Sequence, residues 1–317
     1  MYHPEYGFYS SGGHAGRRGD FLTSPEVGPL FGHVVANALD AEWERLGQPD
    51  SFTVIDYGAG PGTLARSVFA ASPRCAEVMR YIAVERSEMQ RALHPEFVLS
   101  VDEDEIRASE LFASKPVGVV IANELLDNLS FAPVTRVEGR LHLLDVVLDG
   151  DRLATTPALG ALDNVESFFD ASVSQAVLQA EAASWFGAMR STLRRGRILV
   201  IDYARVRSID VEIRTYADHG RAGDPLEALG TKDITVDVDL EQLQRRVGPA
   251  DQLSTQAEWL RSHGIDALVE EGQRMWKAGA STGSLEALKA RSRVREAEAL
   301  TETEGLGGFT VAEWVIA

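Results

Sequence analysis

The sequence predicts an α/β fold built on a doubly wound, mostly parallel sheet. Residues 52–56 form an apolar and β-branched run that leads into a glycine-rich turn, and a helical pattern of apolar residues begins at Leu64. Residues 117–122 are almost all apolar, which is typical of a central parallel strand buried on both faces. Residues 196–202 form another such run, so strands and helices are expected to alternate along the chain.

Gly58, Gly60 and Gly62 follow the first predicted strand at every second position. Glycine accepts a positive φ and has no Cβ to hold a ligand away from the backbone, and free N–H groups open the helix that follows. This G-x-G-x-G spacing, with Asp56 two residues before it, is the pattern of S-adenosylmethionine (SAM) methyltransferases. A dinucleotide turn would need glycine or alanine where Thr63 stands. A purely structural turn and another nucleotide are the alternatives.

Charge and cysteine content restrict the classes of function. The net charge is -17, with 31 Lys and Arg against 48 Asp and Glu, which argues against a nucleic-acid partner and suits a protein substrate with a basic side chain. Cys75 is the only cysteine, so no disulfide can form within one chain and a reducing compartment is favoured. The sequence has neither a signal-peptide pattern at its start nor an apolar run of membrane-spanning length. We therefore expect a cytoplasmic location and no membrane partner.

Polar residues follow two of the predicted strands, where ligands bind in open α/β sheets. Glu85 ends the predicted strand at residues 80–85, and Arg86 follows it. An acid at this position is placed to accept hydrogen bonds from ribose hydroxyls. Asn123, Glu124 and Asp127 follow the strand at residues 117–122 and are expected at the mouth of the site. A carboxylate there can hold a cationic or hydroxyl nucleophile against the methyl group of SAM. A solvated charge is the alternative for Glu85, and helix capping is the alternative for Asp127.

The single expected domain, 1–317, has an N-terminal lid and helix at residues 1–48. Aromatic residues and a glycine-rich stretch precede Ser24, which is predicted to cap a helix from about residue 25 to residue 46, with Pro25 at its first position. Such a segment can fold over a cofactor, although a polar loop that caps a helix is the simpler interpretation.

Residues 131–157 alternate apolar and polar side chains and are predicted to be an inserted hairpin, with turns at 138–139 and 149–151. It is a candidate substrate platform or homodimer contact.

Residues 172–195 are predicted to be a helix. Residues 204–300 are predicted to be a poorly periodic loop followed by helices on the substrate side, with His219 as a candidate base. A last strand at 308–316 is expected at one side of the sheet.

Several segments, in order along the chain, resemble the MidA-type SAM-dependent methyltransferases. The mitochondrial members of that family act as complex I assembly factors and are protein arginine methyltransferases. The matching segments are residues 2–9, 19–26, 56–64, 123–127, 201–203, 214–219 and 232–239. The resemblance implies a Rossmann-like class I methyltransferase fold, SAM as cofactor, S-adenosylhomocysteine as product and a guanidinium acceptor.

The resemblance also implies the site residues. The expected cofactor contacts are Gly19, Asp20, Thr23, Asp56, Gly58, Gly60, Gly62, Thr63, Leu64, Glu85, Arg86, Asn123 and Glu124. The expected catalytic residues are Glu124, Asp127 and His219. One departure is Asn128-Leu-Ser, where relatives carry Ala-Leu-Pro, and this change is expected to alter the substrate pocket. A small-molecule O- or N-methyltransferase, a non-catalytic assembly factor that retains the SAM site, and a nicotinamide enzyme are the alternatives.

Overall fold

The structure is a computed structural model, and it describes residues 5–8, 23–108, 114–206, 210–217, 220–279 and 285–317. The strands, numbered in chain order, are β1 Phe52–Tyr57, β2 Met79–Val84, β3 Leu99–Val101, β4 Val117–Asn123, β5 Ala132–Val137, β6 Arg140–Asp149, β7 Arg152–Ala161, β8 Gln175–Leu178, β9 Arg195–Asp202, β10 Ala204–Arg205, β11 Arg214–Ala217, β12 Gly220–Arg221, β13 Asp233–Thr235, β14 Val238–Asp239, β15 Gln252–Thr255 and β16 Thr310–Ile316.

The α-helices, also in chain order, are α1 Ser24–Val27, α2 Pro29–Arg45, α3 Thr63–Ala70, α4 Glu88–Arg91, α5 Glu103–Ala108, α6 Ala180–Thr192, α7 Leu240–Val247, α8 Gln256–Ser262, α9 Ile265–Gly279 and α10 Leu285–Thr301. Short 3-10 helices span Leu126–Asn128, Glu166–Phe168 and Leu306–Gly308. None of the helices described is both long and apolar enough to cross a membrane.

The central sheet has seven strands in the order β15-β16-β9-β4-β1-β2-β3. The pairs β9–β4, β4–β1, β1–β2 and β2–β3 are parallel, so these five strands end at one edge. This confirms the predicted α/β fold with a mostly parallel sheet. The last strand, β16, runs antiparallel and lies between β9 and β15. The edge strand β15 is short and polar, and its sequence pattern did not predict it.

Helices cover both faces of the sheet. On one face, Leu30, Phe31 and Val34 of α2 are fully buried against the strands, and on the other face Trp185 and Phe186 of α6 are fully buried. Because the central strands β1 and β4 are buried on both faces, they are apolar along nearly their whole length.

The predicted helix at residues 25–46 is two helices that meet at Gly28. The main-chain N–H of Leu30, in the first turn of α2, donates to Glu296 Oε2 on α10 at 2.9 Å. A Cβ atom on Gly28 would lie 2.3 Å from the Glu296 carboxyl carbon. The buried carboxylate therefore occupies the space beside the break, and only glycine fits there without a shift.

The predicted hairpin is part of a larger unit, an antiparallel sheet in the order β7-β6-β5-β8. Both predicted turns are present, with Glu138 at φ 49°, Gly139 at φ 83° and Gly150 at φ 60°. The predicted start of a helix at residue 172 is wrong, because β8 pairs with β5 and the helix begins at Ala180. Val134 and Leu141 belong to a small separate core in this unit.

The segment after β9 is more ordered than its poor periodicity indicated. Short strands form two small sheets there, β10-β14 and β12-β11-β13. The helices α7, α8, α9 and α10 then follow, where the sequence predicted helices after a loop. His219 lies outside the described residues, as do Gly19 and Asp20.

Candidate active site

The glycine turn after β1 is held in left-handed conformations, with φ of 77° at Gly58, 53° at Gly60 and 81° at Gly62. The N–H groups of Gly58 and Ala59 donate to the carbonyl oxygen of Val84 at 2.9 and 3.0 Å, which fixes the turn to β2. A Cβ on Gly58 would lie 2.9 Å from Leu125 Cδ1. Glycine is therefore required at this position by both conformation and space.

The turn forms part of a cleft at the carboxyl ends of β1, β2 and β4. Its lining residues are Thr23, Pro25, Glu26, Asp56, Gly58, Ala59, Gly60, Pro61, Thr63, Leu64, Glu85, Gln90, Asn123, Glu124, Leu125 and Asn128. The structure thus brings together most of the cofactor residues expected from the sequence. It also places Asn128, the departure from the family pattern, in the wall of the cleft.

Arg86 is the expected cofactor residue that the structure places elsewhere. Its Nε donates to Glu103 Oε2 at 2.5 Å, and the side chain lines a neighbouring depression with Tyr57 and Leu129. Gly62 belongs to the turn, although its atoms are not among those that line the cleft.

Asp56 is the buried acid at the end of β1. It accepts a hydrogen bond from the Tyr81 hydroxyl at 2.9 Å. Burial raises the pKa of Asp56 to about 7, and this effect exceeds the opposing effect of the Tyr81 hydrogen bond. Asp56 can therefore change its charge near neutral pH.

Glu85 reaches from the end of β2 to the glycine turn. Its Oε2 accepts the main-chain N–H of Gly60 at 3.0 Å, and its Oε1 accepts the N–H of Ser87 at 2.8 Å. Burial raises the pKa of this carboxyl, and the change is opposed by main-chain hydrogen bonds from Ser87, Gly60 and Arg86 and by the charge of Arg91. A ligand on the turn would therefore meet this carboxylate beside Gly60.

Glu124 follows β4 with a φ of 53°, a conformation that is costly for any residue other than glycine. Its N–H donates to the carbonyl oxygen of Ile201 at 2.7 Å, which anchors the strained residue. Its Oε1 accepts hydrogen bonds from Ser24 N at 3.0 Å and from Asn123 Nδ2 at 3.1 Å. Among the described residues, none donates a hydrogen bond to Oε2.

Burial raises the pKa of Glu124 to about 8, and the nearby charge of Asp127 adds to the increase. The hydrogen bonds from Ser24 and Asn123 act in the opposite direction. A partly exposed carboxyl that lines a cleft and has such a raised pKa is typical of a functional group.

The structure does not bring Asp127 to the cleft, although the sequence placed it at the mouth. The residue is 1% exposed, and its Oδ2 accepts hydrogen bonds from Thr235 Oγ1 at 2.9 Å, Asn128 Nδ2 at 3.0 Å and the hydroxyl of Tyr203. Burial raises its pKa above the usual value of an aspartate. Asp202 lies next to it and accepts the Leu126 N–H at 2.9 Å. These contacts fix the loop after β4, which positions Asn123 and Glu124.

Sequence reasoning missed two residues that support Glu124. Ser24 was predicted to cap a helix, but Thr23 is the N-cap and no side chain caps the helix. Instead, Ser24 Oγ donates to Gln256 Oε1 at 2.9 Å. The two residues are separated by 232 positions, and no local pattern in the sequence connects them.

The charge of the cleft is one-sided. Its described lining includes four carboxylates, Glu26, Asp56, Glu85 and Glu124, and no Lys, Arg or His. Asn123 Oδ1 is buried and has no hydrogen-bond partner among the described residues, so it can accept a donor from a ligand. A glycine turn, an acid beside it and an acidic wall together fit SAM, whose sulfonium and ammonium groups are cationic.

This sheet order and glycine turn define a Rossmann-like methyltransferase that uses SAM. The chain belongs to the family described as "Putative S-adenosyl-L-methionine-dependent methyltransferase", whose sequence profile matches residues 34–258. The fold is similar to that of a Burkholderia thailandensis protein crystallised with S-adenosyl-homocysteine bound, with a TM-score of 0.76 and 23% identity over 99% of this chain and 84% of that one.

Two relatives that have names are similar to this chain in sequence. Drosophila melanogaster "Protein arginine methyltransferase NDUFAF7 homolog, mitochondrial" is 28% identical over 75% of this chain and 62% of its own length. The human protein arginine methyltransferase NDUFAF7 is 26% identical over 84% of this chain and 68% of its own length. The chain therefore spans about two thirds of the length of these relatives. Because both are mitochondrial proteins, the expectation of a cytoplasmic location is wrong.

Proposed function

We propose that this methyltransferase transfers the methyl group to arginine side chains of a protein. The observation that carries the proposal is the Glu124 carboxylate, which lines a cleft without basic side chains in its described wall. One oxygen of Glu124 is held by Ser24 and Asn123, and the other receives no hydrogen bond from the described residues. A cationic acceptor suits this carboxylate, and the names of the relatives supply the choice of arginine.

In this proposal, different residues of the cleft bind different parts of the cofactor. When bound, SAM supplies an electrophilic methyl group on a cationic sulfonium. The turn from Gly58 to Gly62 holds it against the backbone, Glu85 accepts hydrogen bonds from its ribose, and Asp56 faces its methionine end. Thr63, Leu64 and Asn123 also line the cleft. Gly19, Asp20 and Thr23 belong to the proposed lid. Arg86 contributes its main chain, which hydrogen-bonds the Glu85 carboxyl.

Glu124 has two tasks on the acceptor side. A free guanidinium is almost always protonated in water, so its nitrogen is a poor nucleophile until a proton can leave. Glu124 Oε2 orients the guanidinium and takes up that proton as the methyl group is transferred. The positive charge of the acceptor stabilises the ionised carboxylate and lowers the pKa that burial had raised. Asp127 supports this loop from below, and His219 is a second candidate base.

The acceptor is proposed to approach between the antiparallel unit and the segment at residues 204–300. Asn128, which lines the cleft, lies shortly before β5 of that unit.

The antiparallel unit is also the proposed homodimer contact. Val146, Leu148 and Leu153 lie on one face of the β6–β7 ribbon according to its register, and they are 56%, 73% and 36% exposed.

The test is transfer of a labelled methyl group from SAM into arginine-containing peptides and into lysate proteins. Acid hydrolysis followed by amino-acid analysis should place the label in methylarginine, and Glu124→Gln should lose most of it while cofactor binding, measured by calorimetry, stays nearly unchanged. Label in methyl-lysine or only in small molecules would refute the arginine proposal. Tight cofactor binding with no labelled product would refute catalysis on a protein.

A further inference from the structure

We propose that Ser24 is a positioning residue for Glu124, fixed in place by Gln256. This inference rests on the proposed function of Glu124 as the base that meets the acceptor. Ser24 comes from α1, before the first strand of the sheet, and Gln256 begins α8, after β15. The hydrogen bonds thus connect two segments that are far apart in the chain to the carboxylate proposed to meet the acceptor.

The contacts form a continuous chain of hydrogen bonds. The Nε2 of Gln256 donates to the Leu300 carbonyl oxygen at 3.1 Å, and the Ser24 hydroxyl donates to Gln256 Oε1 at 2.9 Å. The main-chain N–H of Ser24 then donates to Glu124 Oε1 at 3.0 Å. Ser24 and Gln256 are both 0% exposed. Water therefore cannot replace these bonds without a rearrangement of the packing.

The helix that carries Ser24 cannot hold this position by itself. It has four residues and no side-chain cap, and a helix this short is not stable without tertiary contacts. The buried hydroxyl of Ser24 supplies such a contact. It fixes the main chain of Ser24, and the fixed N–H in turn fixes one oxygen of Glu124.

The geometry leaves the two oxygens of Glu124 with different tasks. Oε1 is held by the Ser24 N–H and by Asn123 Nδ2. Oε2 is then presented in one orientation to the acceptor, as an in-line transfer requires. Among the described residues, the charge of the buried Asp127 carboxyl raises the pKa of Glu124, and the charge of Glu124 in turn raises the pKa of the buried Asp202.

The test uses Ser24→Ala, which removes the hydroxyl and keeps the N–H. We expect kcat to fall about tenfold, because misplacement of a reacting group is costly, whereas cofactor affinity changes less than about twofold. The carboxyl of Glu124, followed by 13C NMR with S-adenosylhomocysteine bound and assigned with Glu124→Gln, should titrate at a higher pH, because its hydrogen bond from Ser24 is weakened. Ser67→Ala, at a buried serine of α3, is the matched control and should change neither value.

A second variant separates positioning from stability. Ser24→Ala leaves Gln256 Oε1 without a donor, which can lower the melting temperature. The double variant Ser24→Ala with Gln256→Met removes that acceptor as well and should recover part of the melting temperature. If Ser24 positions Glu124, the double variant should keep the lower kcat and the higher titration pH of Glu124 that Ser24→Ala shows relative to the wild type. Recovery of both together with the melting temperature would overturn the proposal.

The two proposals fail in different ways. If the wild-type protein makes no methylarginine, the proposed function fails, but the Glu124 titration still reports whether Ser24 positions this carboxyl. An unchanged titration in Ser24→Ala would overturn the positioning role, whatever the acceptor is. If Glu124→Gln abolishes transfer while Ser24→Ala leaves kcat unchanged, the function stands and the positioning role falls.

Discussion

Glu85 Oε2 and the main-chain N–H of Gly60 are joined by a hydrogen bond of 3.0 Å, so the acid of β2 touches the middle of the glycine turn of β1. The pair places a carboxylate beside the backbone that would hold a nucleotide cofactor. Glu85→Ala should therefore weaken SAM binding by about tenfold or more, as loss of a charged hydrogen-bond acceptor does. Calorimetric titration measures the change.

The control for this prediction is Glu88→Ala, which removes the same charge from an exposed position three residues further along. Its Kd for SAM should match that of the wild type. Gly60→Arg should abolish binding, because it adds a large side chain at a φ of 53° within the turn. Equal Kd values in Glu85→Ala and wild type would remove Glu85 from the cofactor site.

The pH dependence of transfer should report the ionisation of Glu124. Because burial raises the pKa of Glu124 to about 8 in the free protein, a smaller fraction is ionised at each lower pH. We expect kcat/KM for a peptide acceptor to rise about tenfold per pH unit below that value and then level off. Glu124→Gln should remove the rise along with about 100-fold or more of the activity. A flat wild-type profile between pH 6 and 8 would contradict the role of a base.

The same raised pKa values predict how stability varies with pH. Folding raises the pKa of Asp56 to about 7, so the folded protein binds more protons than the unfolded chain between its unfolded value and 7. The contribution of Asp56 to the stability of the fold is therefore fully present below the pKa of the unfolded chain, about 3.9. This contribution is lost as the pH rises through 7, because the buried carboxyl then has to ionise. Asp56→Asn should flatten this part of the melting-temperature profile between pH 4 and 8. An identical slope in both proteins would show that Asp56 does not titrate there.

The strand–turn–helix at the cofactor cleft could be predicted because its signals are local. A β-branched run, glycines at alternate positions and an apolar helical stripe each fix the conformation of neighbouring residues. Glu85, Asn123 and Glu124 followed from one further rule, that parallel strands end at a common edge. That rule does not give the direction of a side chain. The sequence therefore placed Arg86 and Asp127 in the cleft, whereas the structure places both beside it.

Other parts of the structure depend on partners that are distant in the chain. Residues 175–178, Gln-Ala-Val-Leu, fit the apolar pattern of a helix as well as that of a strand, and pairing with β5 decides between them. In the sequence, Gly28 lies within a helical pattern. The reason for a break at this glycine is the carboxyl group of Glu296, which lies beside it only in the folded structure. The bond between Ser24 and Gln256 also has no local signal, because tertiary packing creates it.

Glu296 should be a stability determinant rather than a catalytic one. It is buried, caps the first turn of α2 through Leu30, and accepts a hydrogen bond from Ser292 Oγ at 2.5 Å. Removal leaves the buried Leu30 N–H without its acceptor, whereas the Ser292 hydroxyl keeps the Lys289 carbonyl oxygen at 2.8 Å. Glu296→Ala should therefore lower the free energy of unfolding by about 2 kcal/mol. Urea denaturation measures this, and the exposed Glu298→Ala is the control. Loss of less than about 0.5 kcal/mol would argue against the cap.

The exposed apolar face of the β6–β7 ribbon provides the test of the proposed homodimer. Beyond Leu144 the ribbon is paired only with itself in the described sheet, and a two-stranded ribbon is marginally stable in water without a cover. Leu148→Asp puts a charge in the middle of this face, where a second copy would bury it, and should convert a dimer into a monomer in light scattering. Glu138→Ala, in the tight turn that joins β5 to β6, is the control. A wild-type protein that is monomeric at micromolar concentration, or a Leu148→Asp protein that stays dimeric, would place the interface elsewhere or remove it.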